Sequence, residues 1–187
     1  MTKIDELIQE LCPDGVETFP LEECCNILDK KRKPVTKNSR EKGEYPYYGA
    51  NGVQDYVSDY IFNGKFVLVG EDGSVITKSG TPVVTWAEGK IWVNNHAHIL
   101  KGKAGFNEDS LYLFLANTNM APIVTGAAQP KINQANLKNF PITTPDSETM
   151  LKFNNIIQPF FDQRLTNESE IKKLEALQSL LLTRLVD

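Results

Sequence analysis

Residues 146–186 read DSETMLKFNNIIQPFFDQRLTNESEIKKLEALQSLLLTRLV, and this stretch decides how the chain is organised. It holds no glycine and one proline, Pro159. Apolar residues recur at threes and fours: Leu151, Phe153, Ile156, Ile157, Phe160, Phe161 and Leu165, then Ile171, Leu174, Leu177, Leu180, Leu181 and Leu185. That is one long amphipathic helix. Asp146 or Ser147 suits its N-cap, and Glu148 suits the positive end of its dipole. Pro159 removes a backbone donor and crowds the preceding turn, which predicts a kink or a brief break. Roughly 40 residues of helix extend about 60 Å. A compact domain of this chain length is narrower than that, so part of the helix must seek a partner.

Upstream the pattern changes. From Tyr45 to Leu115 short β-rich runs are cut by Gly, Asn and Asp. Candidate strands are Tyr56–Val57, Lys65–Val69, Val75–Thr77, Val83–Trp86, Ile91–Val93 and Ala97–Leu100. Turns are expected at Asn51-Gly52, Asn63-Gly64, Glu71-Asp72-Gly73, Ser79-Gly80 and Glu88-Gly89. Residues 108–119 read as a helix, with Leu111, Leu113, Phe114 and Leu115 turned inward. A loop rich in Gly, Ala, Gln and Asn follows, from Thr125 to Asn139. Nearer the start, Phe19 to Leu28 predicts a strand and turn or a second short helix. Residues 3–11 put Ile4, Leu7, Ile8 and Leu11 on one helical face, and Pro13-Asp14-Gly15 ends it.

The 187 residues are 41% hydrophobic and 24% charged, the balance of a globular chain able to bury a core. No run approaches the roughly 18 apolar residues of a membrane span, and the early charges at Lys3, Asp5 and Glu6 do not suit a signal peptide. Cys12, Cys24 and Cys25 are odd in number with two adjacent, a poor disulfide framework that suits a reducing cytoplasm. His96 and His98 lie too far along the chain to complete a zinc site with them, so no metal site is expected. The net charge of −4 runs against the basic stripe of a typical nucleic-acid binder. Local distribution decides more than the sum. Lys30-Lys31-Arg32-Lys33-Pro34, followed by Lys37, Arg40 and Lys42, forms one dense basic cluster on an exposed loop. A solvated loop and a phosphate-contacting loop are the two readings of it.

Catalytic signatures are missing. There is no phosphate loop of the Gly-x-x-x-x-Gly-Lys-Ser/Thr type, no Gly-x-Gly-x-x-Gly turn and no amino-methyltransferase motif. Glu71-Asp72 is not followed by the Glu-x-Lys partner of a nuclease site and reads as a pair of turn acids. Ser79 and Ser110 lack a His and Asp partner set. No catalytic residue is assigned.

Three polar constellations remain. Tyr45-Pro46-Tyr47-Tyr48-Gly49-Ala50-Asn51-Gly52-Val53-Gln54 sets tyrosines and amides on a glycine-punctuated loop. Amides pair with adenine edges and tyrosines contact phosphates or bases; a tight turn with aromatics in the core is the equal alternative. Asn94-Asn95-His96-Ala97-His98 follows a strand. Here His98 reads as a buried histidine satisfied by backbone, while His96 stays open. Gly126-Ala127-Ala128-Gln129-Pro130-Lys131-Ile132-Asn133-Gln134 combines small residues with donors and acceptors, or is a plain connector.

In combination and order these segments resemble the specificity subunits of type I restriction–modification systems. The Tyr45–Gly52 stretch resembles their tyrosine-proline-aromatic-glycine segment, Asn95–His98 their mid-domain element, and Gly126–Asn133 the segment that closes their recognition domains. Leu11-Cys12-Pro13-Asp14-Gly15-Val16-Glu17 resembles a common entry to such domains. One departure is that Pro141-Ile142-Thr143-Thr144-Pro145-Asp146-Ser147-Glu148 stands where the family has a Pro-Leu-Pro-like stretch and then Glu-Gln, which bears on methyltransferase docking.

The resemblance implies an α+β fold: a mixed, β-rich target-recognition domain over residues 1–145, then a long helix over 146–187 that forms an antiparallel coiled-coil-like dimer and docks methyltransferase subunits. It implies a non-catalytic, cytoplasmic, prokaryotic subunit that binds double-stranded DNA and reads one half of a bipartite target. Implied DNA-binding residues are Lys30, Lys31, Arg32, Lys33, Lys37 and Arg40 for phosphates. Tyr45, Tyr47, Tyr48, Asn51, Gln54, Asn95, His96, Gln129, Lys131, Asn133 and Gln134 complete the reading surface. Self-association runs through Ile171, Leu174, Leu177, Leu181 and Leu185, and a twofold pair would read an interrupted palindrome with half-sites roughly 34 Å apart. The methyl donor S-adenosylmethionine, ATP and magnesium belong to the modification and restriction subunits. Two rival readings are an assembly adaptor, or silent specificity fragment, that binds the methyltransferase without DNA, and a small nuclease using Glu71 and Asp72.

Overall fold

The run Phe66–Gly70 is buried at every position, on both faces, which is the mark of a strand in the middle of a sheet. In the computed structural model it forms the second half of β5 (Phe62–Gly70). The structure describes Glu6, Leu7, Glu10 and residues 16–186, with side chains to 183. Of the helix expected over 3–11, those three residues are helical, and Leu7 packs on the core. Cys12, the rest of the entry segment before Val16, and the side chain of Leu185 lie outside the described residues.

In chain order the other elements are β1 (Glu17–Pro20), α1 (Leu21–Cys24), β2 (Cys25–Ile27), β3 (Lys42–Gly49), β4 (Gly52–Val57), β6 (Val84–Val93) and β7 (Ala97–Gly102). Then come α2 (Glu108–Ala116), α3 (Gln134–Lys138), β8 (Pro141–Thr144) and α4 (Ser147–Val186). Six strands form one sheet in the order β2-β7-β5-β6-β3-β4. Within it only β3 and β6 run parallel. A separate ribbon pairs β1 with β8, from Glu17↔Thr144 to Pro20↔Pro141, and so ties the start of the domain to the foot of the long helix.

Two expected turns are not turns. Asn63-Gly64 and Glu88-Gly89 lie inside strands, and Gly64 pairs with Gly89 across β5 and β6. Both have positive φ, +133° and +87°, so the paired strands bend together where neither carries a Cβ. The bend is needed. Ile91 pairs with Phe62 and Ala97 with Gly70, at opposite ends of β5. Yet β6 ends at Val93 and β7 begins at Ala97, a link that reaches at most about 14 Å. A flat nine-residue strand is about 30 Å long, so the sheet must curl at the glycine pair to bring its ends together. For the same reason Val83–Trp86 and Ile91–Val93 form one strand instead of two. Val75–Thr77 is not a strand; Ile76 makes a single bridge to Pro82.

The tyrosine stretch is β3, not a loop, and it closes a hairpin with β4 through Ala50 and Asn51, so the turn falls where Asn51-Gly52 predicts it. Inside the glutamine- and asparagine-rich segment, Asn133 accepts from the Asn136 amide at 2.8 Å and caps the short helix α3.

The curled sheet has apolar residues on both faces. One face gathers Phe62, Phe66, Leu68, Ile91, Val93 and Ile99. The other packs Val67, Val69, Trp86 and Leu100 against α2 and the first turns of α4, through Phe106, Phe114, Met150, Phe153, Ile157 and Phe161. Phe114 meets Phe153 edge-on at 5.8 Å. The buried indole of Trp86 donates to Asp109 at 2.7 Å, with Phe161 6.1 Å away and the Arg164 guanidinium 5.5 Å over the ring. Asp146 caps α4 by accepting from the Glu148 and Thr149 amides.

The helix runs unbroken through Pro159. Pro159 and Asn155, whose carbonyl loses its donor, are both exposed, so water can serve that carbonyl and no break is forced. Beyond Glu168 every described side chain of the helix is exposed.

Candidate nucleic-acid interface

The curl brings four distant segments to one end of the domain. The Glu71 amide donates to the His96 carbonyl at 2.8 Å, Ile132 to Glu71 at 2.9 Å, Gly73 to Pro130 at 3.0 Å and Asn94 to Tyr48 at 3.0 Å. Thus the end of β3, the bend after β5, the turn between β6 and β7 and the segment before α3 form one surface. The long helix leaves from the opposite end of β7: Ser147 donates to the Ala104 carbonyl and Asn154 to that of Gly105.

Segment 29–40 completes this end. Trp92, half-buried, donates its indole N–H to the Lys33 carbonyl at 2.6 Å. The Tyr47 ring is buried, but its hydroxyl both accepts from the Val35 amide at 3.0 Å and donates to the Val35 carbonyl at 3.2 Å. Arg40 lies 4.1 Å over that ring and pairs with Asp55 at 3.2 Å. A cleft of about 430 Å³ opens between this segment, β4 and the β6–β7 turn, with Thr36, Gln54, Asn94, Asn95 and His96 on its walls. Gln54 accepts from Asn94 at 3.2 Å, and His96 Nδ1 lies 2.7 Å from Asp72.

Beneath the surface sits a charged network. His98 is fully buried; Nδ1 donates to Asp29 at 2.6 Å and Nε2 donates to the Ile132 carbonyl at 2.8 Å. Asp29 also accepts from the Ile99 amide and from Gln134. Burial pushes its carboxyl up, but the bonds from His98, the His98 charge, and the Ile99 and Gln134 donors outweigh that and hold it below its ordinary value. Arg32 pairs with Glu71 at 2.7 Å and Asp29 at 3.4 Å and donates to the Ala97 carbonyl. Glu71 also meets Lys131 at 3.2 Å. Asp29, Glu71 and His98 are close enough to hold a cation, but their ligand atoms are engaged and the guanidinium of Arg32 supplies the positive charge among them.

The residues singled out in the sequence therefore divide. Lys30, Lys31, Lys33, Lys37, Asn51, Gln54, Asn95, His96 and Gln129 are exposed at this end. Arg32, Arg40, Tyr47, Asn133 and Gln134 engage partners within the chain, and Lys131 is half-exposed beside Glu71. Tyr48 lies in the core. Tyr45 is at the far end of β3, edge-on to Tyr60 at 5.2 Å with Lys90 over its ring. His98 is the buried, backbone-bonded histidine the sequence suggested, with Asp29 added. Glu71 and Asp72 are engaged: Glu71 pairs with Arg32 and Lys131, and Asp72 lies 2.7 Å from His96 Nδ1. Asp29 carried no signal, because its histidine lies 69 residues away.

A family model described as the type I restriction modification DNA specificity domain matches residues 13–177. A protein of Haemophilus influenzae named as a type I restriction enzyme specificity subunit is 44% identical over 130 residues, 70% of this chain and 33% of that protein. The EcoprrI specificity subunit of Escherichia coli is 23% identical over 152 residues, 81% of this chain and 34% of its own. Among solved structures, the S subunit of a type I restriction–modification system from M. genitalium superposes with a TM-score of 0.66 at 17% identity, covering 96% of this chain and 48% of that one. A chain from a structure of the type I R-M system, described for its complex assembly and conformational transition, gives 0.56 at 17% identity, covering 92% and 44%. These two likenesses carry the fold. The chain spans about a third of these two curated relatives and just under half of these two solved chains. On a family match that takes in most of its length, the chain belongs to the type I restriction modification DNA specificity domain family.

Proposed function

We propose that this chain is a non-catalytic sequence reader for a type I restriction–modification complex, contacting one half of a bipartite double-stranded DNA target. The observation that carries the reading is the gathering of exposed amides and lysines at one end of an otherwise acidic domain. Lys30, Lys31, Lys33 and Lys37 flank a cleft bearing Gln54, Asn95 and His96, with Asn51 and Gln129 on neighbouring tips. Lysines neutralise phosphates in any sequence, whereas amides discriminate base edges. In this reading the internal partners of Arg32, Arg40, Tyr47 and Gln134 make them supports for the surface. The test is binding to DNA duplexes selected from a random pool. Asn95→Ala or Gln129→Ala should relax preference at one base position by about 1–3 kcal/mol. Full discrimination retained by both variants would place the reading face elsewhere.

We further propose that α4 pairs with a second copy. Phe160, Asn167, Leu174 and Leu181 recur every seven residues, and Arg164, Ile171, Gln178 and Leu185 do the same between them. Antiparallel pairing about a twofold axis between Lys172 and Lys173 would set Ile171 against Leu174 and Asn167 against Gln178. Phe160 would then face Leu185. Asn167 and Gln178 would meet each other instead of leucine, while Arg164 would lie against Leu181; the amide pair favours this register over its neighbours. Ile171, Leu174, Leu177 and Leu181 are all more than half exposed in the single chain. Modification subunits would dock along the helix and the 141–148 segment, restriction subunits would join through them, and S-adenosylmethionine, ATP and magnesium would be held by those partners. Among the described residues no helix is long and apolar enough to cross a membrane, which suits a complex working in the prokaryotic cytoplasm.

A further inference from the structure

Asp29 and His98 receive ties from β7, from the segment leading into α3 and from the basic segment. The Asp29 carboxylate bonds His98 and the Ile99 amide of β7, Gln134 at the start of α3 and, at 3.4 Å, Arg32 of its own basic segment. His98 adds the Ile132 carbonyl. Arg32 extends the network to the Ala97 carbonyl, beside the His96 turn, and to Glu71, which in turn holds Lys131. The pair is buried, Asp29 at 7% and His98 at 0% exposure. Among the described residues the one buried side-chain polar atom without a partner is Asn154 Oδ1, outside this network.

We infer that the His98–Asp29 pair is a positioning node. It locks the basic segment 29–33, the Glu71-Asp72 bend, the turn 94–97 and the segment 129–134 into one rigid reading surface. A fully satisfied buried polar network has one good arrangement, and a partly broken one is costly. The four segments therefore hold position or loosen together. Loops fixed before binding save the ordering cost of contacting a ligand. The functional half of this inference rests on the DNA-reading proposal; the coupling of the segments does not.

Gln134→Ala tests the node most cleanly, because it removes one bond to Asp29 at a half-exposed position and leaves the core filled. His98→Gln is the stronger variant, but its folding is less secure. Hydrogen exchange of the whole chain should rise about tenfold, the scale of one lost hydrogen bond to a charged group. It should rise together in 29–33, 71–73, 94–97 and 125–131, although Gln134 touches only the first of these. A rise confined to 132–138 overturns the node. In parallel, Gln134→Ala should lower the ratio of binding between a selected and a mixed-sequence duplex while leaving the salt slope unchanged. A positioning role lowers preference at several base positions at once; a loss confined to one base position would make Gln134 a direct base contact and overturn it. Wild-type protein that binds no duplex would sink the DNA reading, while the exchange pattern would still decide the coupling.

Discussion

Arg32 Nη1 lies 2.7 Å from Glu71 Oε2, with only 13% and 14% of the two side chains exposed. This pair separates two neighbours that look equivalent in the sequence. Arg32→Ala takes one partner from Glu71, which keeps Lys131, and one from Asp29, which keeps His98, so it should destabilise by less than the roughly 3–5 kcal/mol of a buried charge left wholly unpaired. Lys31 is exposed, so Lys31→Ala should leave the urea midpoint in place and lower the salt slope of DNA binding by about one unit. Equal stability of the two variants would contradict the ion-pair network.

Acid should unfold the protein through its aspartates. Asp29, Asp55 and Asp146 are each held below the ordinary value of 3.8, the last two chiefly by backbone amides, of Tyr56 and of Thr149. A carboxyl whose pKa is lower in the folded chain contributes stability that is complete above 3.8 and is lost as pH falls through its folded value. The melting temperature should hold on that account down to about pH 4 and fall below it. Asp146→Asn should flatten part of the acid limb with little loss at neutral pH, since the amide oxygen can still cap the helix. A melting curve whose acid limb is identical in the variant would remove Asp146 from the account.

The two described cysteines should resist alkylation. Burial pushes the Cys24 thiol up to about 11 and the Cys25 thiol up to about 12, so almost no thiolate exists near neutrality. Peptide mapping after iodoacetamide treatment at pH 8 should find both unmodified in native protein and modified in urea. Rapid native labelling at either position would mean that the α1 region opens.

Asn167 should set register at the expense of affinity between helices. Asn167→Leu should tighten self-association, because leucine replaces a polar residue in the seam, and should also admit other registers, because Gln178 loses its amide partner. Light scattering measures the first effect, and cross-linking between cysteines introduced at 171 and 174 measures the second. A wild-type chain that stays monomeric at micromolar concentration would dismiss the paired helix altogether.

The long helix and the mixed domain before it were legible because periodicity is local: Phe153, Ile157 and Phe161 recur at fours and all point inward. Turn chemistry at Asn51-Gly52 was equally local. Gly64 and Gly89 misled for a physical reason. The same absence of a side chain serves a reversal or a bend within paired strands, and only the partner strand decides between them. The supports of the site were not legible. Arg32 meets Glu71 39 residues on, and Gln134 meets Asp29 105 residues back; no spacing rule spans such loops. Basic residues in one run thus looked alike, although folding spends the charge of Arg32 internally and leaves its lysine neighbours outside.

The chain carries two tryptophans, and their placement turns the molecule into its own optical instrument. Trp86 sits between Asp109, Phe161 and Arg164, where the helix meets the sheet. Trp92 reaches the Lys33 carbonyl in the basic segment. Replacing either with phenylalanine would leave one tryptophan, so its selectively excited emission would follow the seating of the helix in one variant and the posture of the lysine-rich strip in the other. Traffic between the two ends of the protein could then be watched without any attached dye.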